Sequence, residues 1–322
     1  MQSFLIIQTA FIGDVILATS VIEKLHQSYP GSKIDFLLRK GNEGLLKNNP
    51  FINEVIIWDK KQNKLKNLFQ IVKNVRTKKY DHVINIHRFA SSGIITALSG
   101  SKNKTGFDKN PFSFFYTKKV EHKIGNNKHE IERNHELIKE LTGDQPAKPK
   151  LYPTEKDLDA VKQYKNQSYI CIAPTSVWFT KQLPKEKWIE LINKTNPSTL
   201  IYLLGAASDS DACEQIKNET KHPSIINLSG KLSFLESAAL MLNAQMNYVN
   251  DSAPMHIASA MNAPVSVFFC STVPAFGFGP LSDNSRVIEI KEKLGCRPCG
   301  LHGYNSCPKG HFKCGYGIEM IP

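Results

Sequence analysis

The sequence lacks several features that identify membrane, secreted, nucleotide-binding or RNA-binding proteins. Within its 322 residues, no run reaches the roughly 18 uninterrupted apolar residues that span a bilayer. The apolar stretch at 4–25 follows no basic segment and is interrupted by Asp14, so it is not typical of a signal peptide. The dinucleotide-binding pattern G-x-G-x-x-G, the Walker glycine pattern and the aromatic signature of RNA-binding modules are also absent. We therefore expect a cytoplasmic protein with no nucleic-acid partner.

Acidic residues are the scarcer charge: 29 Asp and Glu against 41 Lys and Arg give a net charge of +12. This excess favours acidic partners such as phosphorylated sugars or an anionic membrane surface. The basic residues are densest at 59–80, where Leu65, Leu68, Phe69, Val72 and Val75 recur at helical spacing. The stretch predicts a helix whose basic face is either simply solvated or forms a patch for a membrane or an acidic substrate.

Short apolar runs alternate with helical patterns along most of the chain, which predicts an α/β fold with parallel sheets. The runs are SFLIIQT, KIDFLLRK, EVIIWD, DHVINIH, YICIAP, TLIYLLG, SIINLSG, MNYVND and PVSVFFCS. A helix is also expected around 41–50. The Pro- and Lys-rich stretch 142–160 lacks periodicity and is typical of an interdomain linker. We predict domains at 1–155 and 156–290 and a Cys-rich segment at 291–322.

Polar residues fill the loops that follow the predicted strands of the second half, where ligands of such sheets bind. Thr175, Ser176, Thr180 and Lys181 share one loop, and hydroxyls, amides and a Lys together suit a phosphate. Loops after strands are often rich in Ser and Thr, so this signal alone is weak. Asp209 follows another strand and is placed to reach a ribose hydroxyl, although a simple turn is the stronger explanation.

The stretch NDSAPMHIASA, at 250–260, predicts a strand end followed by a helix start. Asp251 or Ser252 is a suitable N-cap, and the first helical turn then presents free N–H groups to an anion. His256 lies one turn further on and either faces the same ligand or is a buried structural residue. Together with the other loops of this half, the stretch predicts a pocket for a nucleotide diphosphate.

Several of these segments resemble the family 9 glycosyltransferases, the bacterial lipopolysaccharide heptosyltransferases. The similar segments are GDVILATSVIEKL, LSGSKNKTGF, HEIERNHELIKEL, TKQLP and NDSAPMHIASAMNAPVSVFFCSTVPAFGFGPL, in that order. The resemblance implies a GT-B fold, with two facing Rossmann-like domains of parallel strands and a central cleft. It also implies that the first domain binds a glycolipid precursor of lipopolysaccharide, that the second binds ADP-heptose, and that the transfer inverts the anomeric centre without a catalytic metal.

The same resemblance implies roles for individual residues. Asp14 corresponds to the general base, although it is also a plausible helix cap. Lys181 corresponds to a donor phosphate ligand. Asp251 and the amides after it, in Ser252, Ala253 and Met255, correspond to the donor-binding turn. Thr180 is a further donor-binding candidate, and Thr175, Ser176, Asp209 and His256 correspond less closely. Peripheral contact with the anionic inner membrane is expected from the acceptor and the basic charge.

Four of the seven cysteines lie close together near the C-terminus: Cys296, Cys299, Cys307 and Cys314. In a cytosolic protein such a group is more typical of a metal site than of disulfides. Four thiolates suit Zn or Fe in a structural role, and four reduced cysteines packed on the second domain are the alternative. Cys171 and Cys270 lie in apolar runs and are expected in the core.

Two other functions remain open at this point. The same fold hosts many nucleotide sugars, so the donor sugar is not fixed by the fold. The third hypothesis is a non-enzymatic module, which would bind nucleic acid or protein through the basic surface and the cysteines. Binding of ADP-containing ligands rather than oligonucleotides distinguishes the enzyme from this module.

Overall fold

The computed structural model describes residues 1–320 and divides the chain into two compact units. Unit 1 comprises Met1–Tyr152, and unit 2 begins at Pro153. The division therefore falls inside the Pro- and Lys-rich stretch 142–160. Each unit is an α/β fold built on one parallel six-stranded sheet, as the alternation of apolar runs and helical patterns predicts.

The sheet of unit 1 has the strand order β3-β2-β1-β4-β5-β6. Its strands are β1 Ser3–Ile7, β2 Lys33–Arg39, β3 Glu54–Trp58, β4 His82–Asn85, β5 Asn103–Phe107 and β6 Lys118–Val120. Its α-helices are α1 Ile12–Ser28, α2 Lys64–Lys78, α3 Ala90–Leu98, α4 Glu130–Glu136 and α5 Lys139–Thr142, with 3₁₀ helices at Glu43–Leu45 and Ser113–Phe115. The central strand β1 is almost wholly apolar and buried, which follows from helices packing on both of its faces.

The sheet of unit 2 has the order β12-β11-β10-β7-β8-β9. Its strands are β7 Tyr169–Ala173, β8 Leu200–Leu203, β9 Ile225–Asn227, β10 Asn247–Asn250, β11 Val265–Phe269 and β12 Ser285–Glu289. Its α-helices are α6 Glu155–Ala160, α7 Lys185–Lys194, α8 Ser210–Glu219, α9 Phe234–Leu242, α10 Ala253–Ala260 and α11 Lys313–Tyr316. Four 3₁₀ helices lie at Lys162–Tyr164, Phe179–Lys181, Ala207–Asp209 and Pro274–Phe276.

Both sheets reverse their direction of winding at one point. In unit 1 the chain builds outward from β1 to β3 and then continues on the other side of β1 with β4. In unit 2 the same reversal separates β7 from β10. Loops leaving the carboxyl ends of two such strands diverge and leave a crevice, which is where ligands of open α/β sheets bind. The residues after β1, β4, β7 and β10 are therefore the first to inspect for function.

One local prediction is wrong, whereas the helix predicted within 59–80 forms as α2. The expected helix around 41–50 is reduced to the 3₁₀ turn Glu43–Leu45, because the stretch is rich in Gly and Asn and Gly41 adopts a φ of +99°. In α2, Leu68 and Val75 are buried as the helical spacing predicts, but Leu65 and Phe69 are 69% and 67% exposed. The buried face of α2 is thus narrower than the apolar residues alone indicate.

The Cys-rich segment does not form a separate body. Phe312, Cys314, Ile318 and Met320 join the buried core of unit 2 together with residues of β7, α7 and β11. Cys171 and Cys270 are buried, which confirms the expectation that they are core residues. Among residues 1–320, no helix is long and apolar enough to cross a membrane.

Candidate active site

An ion pair marks the switch point of unit 2. Lys181, in the loop after β7, places its Nζ 2.7 Å from Oδ2 of Asp251, which follows β10. The two side chains are only 16% and 8% exposed, so little solvent screens the pair. Thr272, after β11, donates its hydroxyl to the same Asp251 oxygen over 2.6 Å. Three neighbouring strands therefore contribute one residue each to a single charged cluster at the carboxyl edge of the sheet.

Asn250 holds the backbone of this loop in place and was not anticipated from the sequence. Its side chain is fully buried, and its Nδ2 donates to the carbonyl of Pro174 over 2.8 Å. Its Oδ1 accepts from the amide of Leu183 over 2.9 Å. One amide side chain thereby joins both ends of the loop that carries Lys181. The signal in the sequence was a polar residue at the end of an apolar strand, directly before Asp251.

The predicted phosphate-binding hydroxyls differ in their surroundings. Thr175 and Ser176 are half-buried, and the carbonyl of Ser176 accepts from Gln182 over 2.7 Å. Thr180 is buried, and its hydroxyl oxygen accepts from the amide of Tyr304 over 2.8 Å and from the Ser271 hydroxyl over 3.0 Å. The contacts of Thr180 are thus with the protein and hold the residue that precedes Lys181.

The turn after β10 leads into α10 as predicted, but its capping differs. Ser252 occupies the N-cap position, yet its hydroxyl donates to the Asn250 carbonyl over 3.4 Å instead of accepting from the helix. Asp251 is engaged with Lys181 rather than acting as the cap. Ala253 is half-buried in the first helical turn, whereas Met255 and His256 are buried within the unit.

Asp209 closes its own loop after β8. Its Oδ2 accepts from the amide of Ala206 over 2.7 Å. A Cβ on Gly205 would lie 2.8 Å from the Cβ of Asp209, so the tight turn requires glycine there. These contacts account for Asp209 as a turn residue, and its ribose role remains a prediction.

In unit 1, Asp14 lies in the first turn of α1, directly after β1. Its Oδ2 accepts from the amide of Phe11 over 3.1 Å, so the residue does cap the helix, from the third helical position rather than the N-cap. Burial, and to a lesser extent the charge of Glu130, raise the pKa of Asp14 to about 6, while the Phe11 amide and Arg88 oppose this shift. Asp14 is therefore ionised at neutral pH but more basic than an ordinary aspartate.

A buried charged network lies near Asp14 and was not singled out from the sequence as a site. Glu130 accepts from Arg133 Nε over 2.6 Å and lies 3.2 Å from His122 Nε2. Burial favours the protonated acid, but the contacts with His122 and Arg133 hold the pKa of Glu130 below its usual value. The other ring nitrogen of His122 lies 3.2 Å from Nη1 of Arg88, which follows β4. The segment HEIERNHELIKEL thus supplies a fixed negative charge beside Asp14.

A second polar group lies at the same edge of unit 1. Lys60, after β3, donates to the carbonyl and hydroxyl oxygens of Thr9 over 3.0 and 2.9 Å. Burial and the neighbouring charges of Arg39 and Lys64 lower the pKa of Lys60 to about 8. The Thr9 hydroxyl also lies 3.1 Å from Nδ1 of His87, whose pKa burial lowers to about 3, so that this ring is neutral at pH 7.

The four C-terminal cysteines lie near one another but are not arranged as a metal site. Burial, followed by the charges of Cys296 and Cys307, raises the pKa of Cys299. Burial likewise raises the pKa of Cys314 to about 11, and the other three thiols add to this shift. Cys296 Sγ lies 4.0 Å from Nε2 of His311. Within the described residues 1–320, no three His, Cys, Asp or Glu side chains are arranged to hold a metal ion.

With this geometry established, comparison with known proteins identifies the family. The model of glycosyltransferase family 9 (heptosyltransferase) matches residues 68–302. The chain belongs to glycosyltransferase family 9. Lipopolysaccharide heptosyltransferase 3 of Escherichia coli is 31% identical over 295 residues, which cover 85% of each protein. The family predicted from the sequence motifs is thereby confirmed.

Solved structures of other glycosyltransferases share the fold. E. coli ADP-heptose lipopolysaccharide heptosyltransferase II superimposes with a TM-score of 0.79 at 21% identity, covering 97% of both chains. The iron-containing dodecameric glycosyltransferase TibC of enterotoxigenic E. coli gives a TM-score of 0.55 at 14% identity, covering 98% of this chain and 74% of TibC. These likenesses confirm the predicted GT-B type of fold, with its two Rossmann-like units.

Proposed function

We propose that this protein transfers a heptose from ADP-heptose to a lipopolysaccharide core-type acceptor with inversion of the anomeric centre. Unit 2 binds the donor and unit 1 the acceptor. The observation that carries the proposal is the Lys181–Asp251 pair at the switch point of unit 2, in a chain that belongs to family 9 over most of its length. That unit offers a cation and the first turn of a helix beside it, a combination that suits a diphosphate.

Lys181 is proposed to bind the donor diphosphate. An ammonium group has three donors, so its contact with Asp251 leaves two for phosphate oxygens. The Asp251 carboxylate restrains the Lys181 side chain before the donor arrives, which lowers the entropy lost on binding. The amides around Ala253, the half-buried Thr175 and Ser176, and Asp209 line the remainder of the proposed donor site. Positive charge at the diphosphate also stabilises the leaving ADP in the transition state.

Asp14 is proposed to be the general base. As the acceptor hydroxyl oxygen bonds to the anomeric carbon, its proton passes to the Asp14 carboxylate and the bond to ADP breaks with its electron pair. A pKa of about 6 suits this role, because the group is ionised at pH 7 yet binds a proton more strongly than an ordinary aspartate. Its contact with the Phe11 amide occupies one acceptor position of a carboxylate that has about four. Capping α1 and accepting the proton are therefore compatible.

Replacing Asp14 tests the base. We expect Asp14→Ala and Asp14→Asn to lower kcat by roughly 10²–10⁴-fold, because proton removal is lost, while the Kd for ADP is kept. In the wild type, kcat/KM should fall as pH drops through about 6, where Asp14 becomes protonated, and the variants should lack this acid limb. Asp81→Asn, at the amino end of β4 on the opposite edge of the sheet, is the control. Full activity in Asp14→Ala would exclude this role.

Replacing Lys181 tests the donor site. We expect calorimetric titration to show ADP and ADP-heptose binding to the wild type, and about ten-fold or greater weakening in Lys181→Ala, because a charge-assisted contact to phosphate is lost. Lys185→Ala removes a lysine four residues later that pairs with the exposed Glu219, and it should bind ADP normally. UDP-sugars and an oligonucleotide complete the ligand panel. Binding of either in place of ADP ligands would favour another donor or a nucleic-acid module and contradict the proposal.

A structural Zn or Fe ion on Cys296, Cys299, Cys307 and Cys314 is proposed as a second feature. Four soft thiol ligands suit either metal, and the mutual effects on their pKa values indicate that the thiols are neighbours. TibC, which shares the fold, is an iron-containing protein. Because the described residues hold no ligating group of three, the thiols must draw together when the metal binds. The role is structural, since four protein ligands leave no open position.

Metal analysis of freshly purified protein tests this feature. We expect about one Zn or Fe per chain, and loss of the metal in the double variant Cys296→Ser/Cys299→Ser. Cys213→Ala, a buried cysteine of α8, should keep the metal and is the control. Substoichiometric Zn and Fe in the wild type would contradict the site.

Peripheral contact with an anionic membrane is proposed for unit 1, where a glycolipid acceptor would be met. The turn after β5 exposes Phe114 by 67% and Phe115 by 50%, with their ring centroids 4.3 Å apart. Lys109 precedes this pair, and Lys118 and Lys119 follow it. Apolar rings flanked by cations are the combination that partitions into the interface of an anionic bilayer.

Vesicle sedimentation tests the membrane contact. We expect the wild type to bind vesicles that contain anionic lipid in preference to purely zwitterionic ones. Phe114→Ser/Phe115→Ser should bind several-fold less because it removes apolar area from the interface. Val287→Ser, which removes an exposed apolar residue from β12 of unit 2, should bind like the wild type. Equal binding to both kinds of vesicle by all three proteins would rule out this contact.

A further inference from the structure

The segment 297–304, which lies between Cys296 and Cys307, is bonded directly to the loop that carries Lys181 and to the end of β11, whose Thr272 contacts Asp251. We propose that this segment positions Lys181 for the donor, with Arg297 and Gly303 as positioning residues. The proposal rests on the donor-binding role of Lys181 given above. The segment 297–304 would thus contribute to donor binding as well as to the packing of unit 2.

Arg297 fixes the carboxyl end of β11. Its guanidinium donates to the carbonyls of Cys270 over 2.7 Å and Thr272 over 2.7 Å, and more weakly to that of Phe269 over 3.2 Å. The Nη2 that donates to Thr272 also forms a salt bridge of 2.6 Å with Glu289 of β12. With its side chain only 11% exposed, Arg297 acts as a rigid multi-pronged donor, a geometry that lysine cannot reproduce in full.

The end of β11 in turn holds both members of the ion pair. Thr272 donates to the Asp251 carboxylate, and the Ser271 amide donates to the Thr180 carbonyl over 3.2 Å. The Cys299 amide donates to the Ser271 carbonyl over 2.8 Å, which ties the segment to the same turn. Displacement of residues 270–272 would therefore move Asp251 and the backbone before Lys181 together.

The far end of the segment contacts the Lys181 loop itself. The amide of Tyr304 donates to the Thr180 hydroxyl, and the Thr180 amide donates back to the Tyr304 carbonyl over 3.1 Å. Gly303 packs so closely that a Cβ there would lie 2.8 Å from Thr180 Oγ1 and 3.1 Å from Lys181 Cγ. Its φ of +80° also favours glycine. The amide, hydroxyl and carbonyl of Thr180 are thus all bonded to this segment or to the β11 end that it supports.

Two glycine substitutions separate contact from backbone strain. Gly303 and Gly310 both have positive φ, +80° and +72°, but a Cβ on Gly310 would meet nothing within 4 Å. We expect Gly303→Ala to weaken ADP binding by about 5- to 20-fold in calorimetric titration, because the added methyl displaces Thr180 and Lys181. Gly310→Ala, with similar strain and no contact, should bind ADP like the wild type. Equal affinity in the two variants, whether normal or weakened, would overturn the proposal.

Arg297 provides an independent measurement. Arg297→Gln should raise the Kd for ADP and the donor KM by a similar factor while the acceptor KM stays unchanged, and Arg297→Lys should recover part of the loss. Arg286→Gln, an exposed arginine on the same strand as Glu289, is the control. If Arg297→Gln and Gly303→Ala bind ADP normally while Lys181→Ala does not, only the present inference fails. If Lys181→Ala also binds ADP normally, the donor role of Lys181 fails first and the inference falls with it.

Discussion

The arrangement of the loops at the carboxyl edge of the unit 2 sheet depends on one buried negative charge, that of Asp251 after β10. A carboxylate that is 8% exposed is costly unless it is paired and hydrogen-bonded, and Asp251 obtains both partners from other loops. Lys181 supplies the charge and Thr272 supplies the hydroxyl. Because each partner satisfies the same carboxylate, the loops after β7 and β11 are drawn toward β10. The cation that we propose for donor binding is thus held in position by the need to compensate one buried charge.

The two units use one topology twice, and their functional groups fall at corresponding places. Asp14 follows the first strand of unit 1, and Lys181 follows the first strand of unit 2. In each unit the fourth strand ends in a buried asparagine, Asn85 or Asn250, whose side chain bonds the adjoining loops. All strands of each sheet run parallel, so these groups collect at its carboxyl edge. The different roles that we propose for the two units therefore depend on the side chains placed at these edges.

The central strands and the candidate site residues could be predicted from local sequence patterns. The hydrogen bonds that connect the site could not, because they join residues distant in sequence. Apolar runs such as YICIAP located the central strands, whereas polar edge strands such as β12, SRVIE, carry no comparable signal. Asp14, Lys181 and Asp251 were predicted as site residues because they lie in family motifs beside predicted strand ends, and their roles stay predictions. The bonds from Thr272 to Asp251 and from Arg297 to β11 join residues 21 or more positions apart, and no periodicity encodes them. Sequence also could not show that Asp251 pairs with lysine instead of capping α10.

These contacts place the C-terminal cysteines next to backbone that is bonded to the Lys181 loop. Cys296 precedes the segment 297–304 that is bonded to the Lys181 loop, Cys299 lies within it, and Cys307 follows its last residue by three positions. A change in their state, by metal binding or oxidation, would act first on backbone that donates to Ser271 and Thr180. Because buried hydrogen bonds require close geometry, such a change would reach the ion pair through few intermediates. The structural metal that we propose for the cysteines and the positioning of Lys181 that we infer are therefore linked through one short segment of backbone.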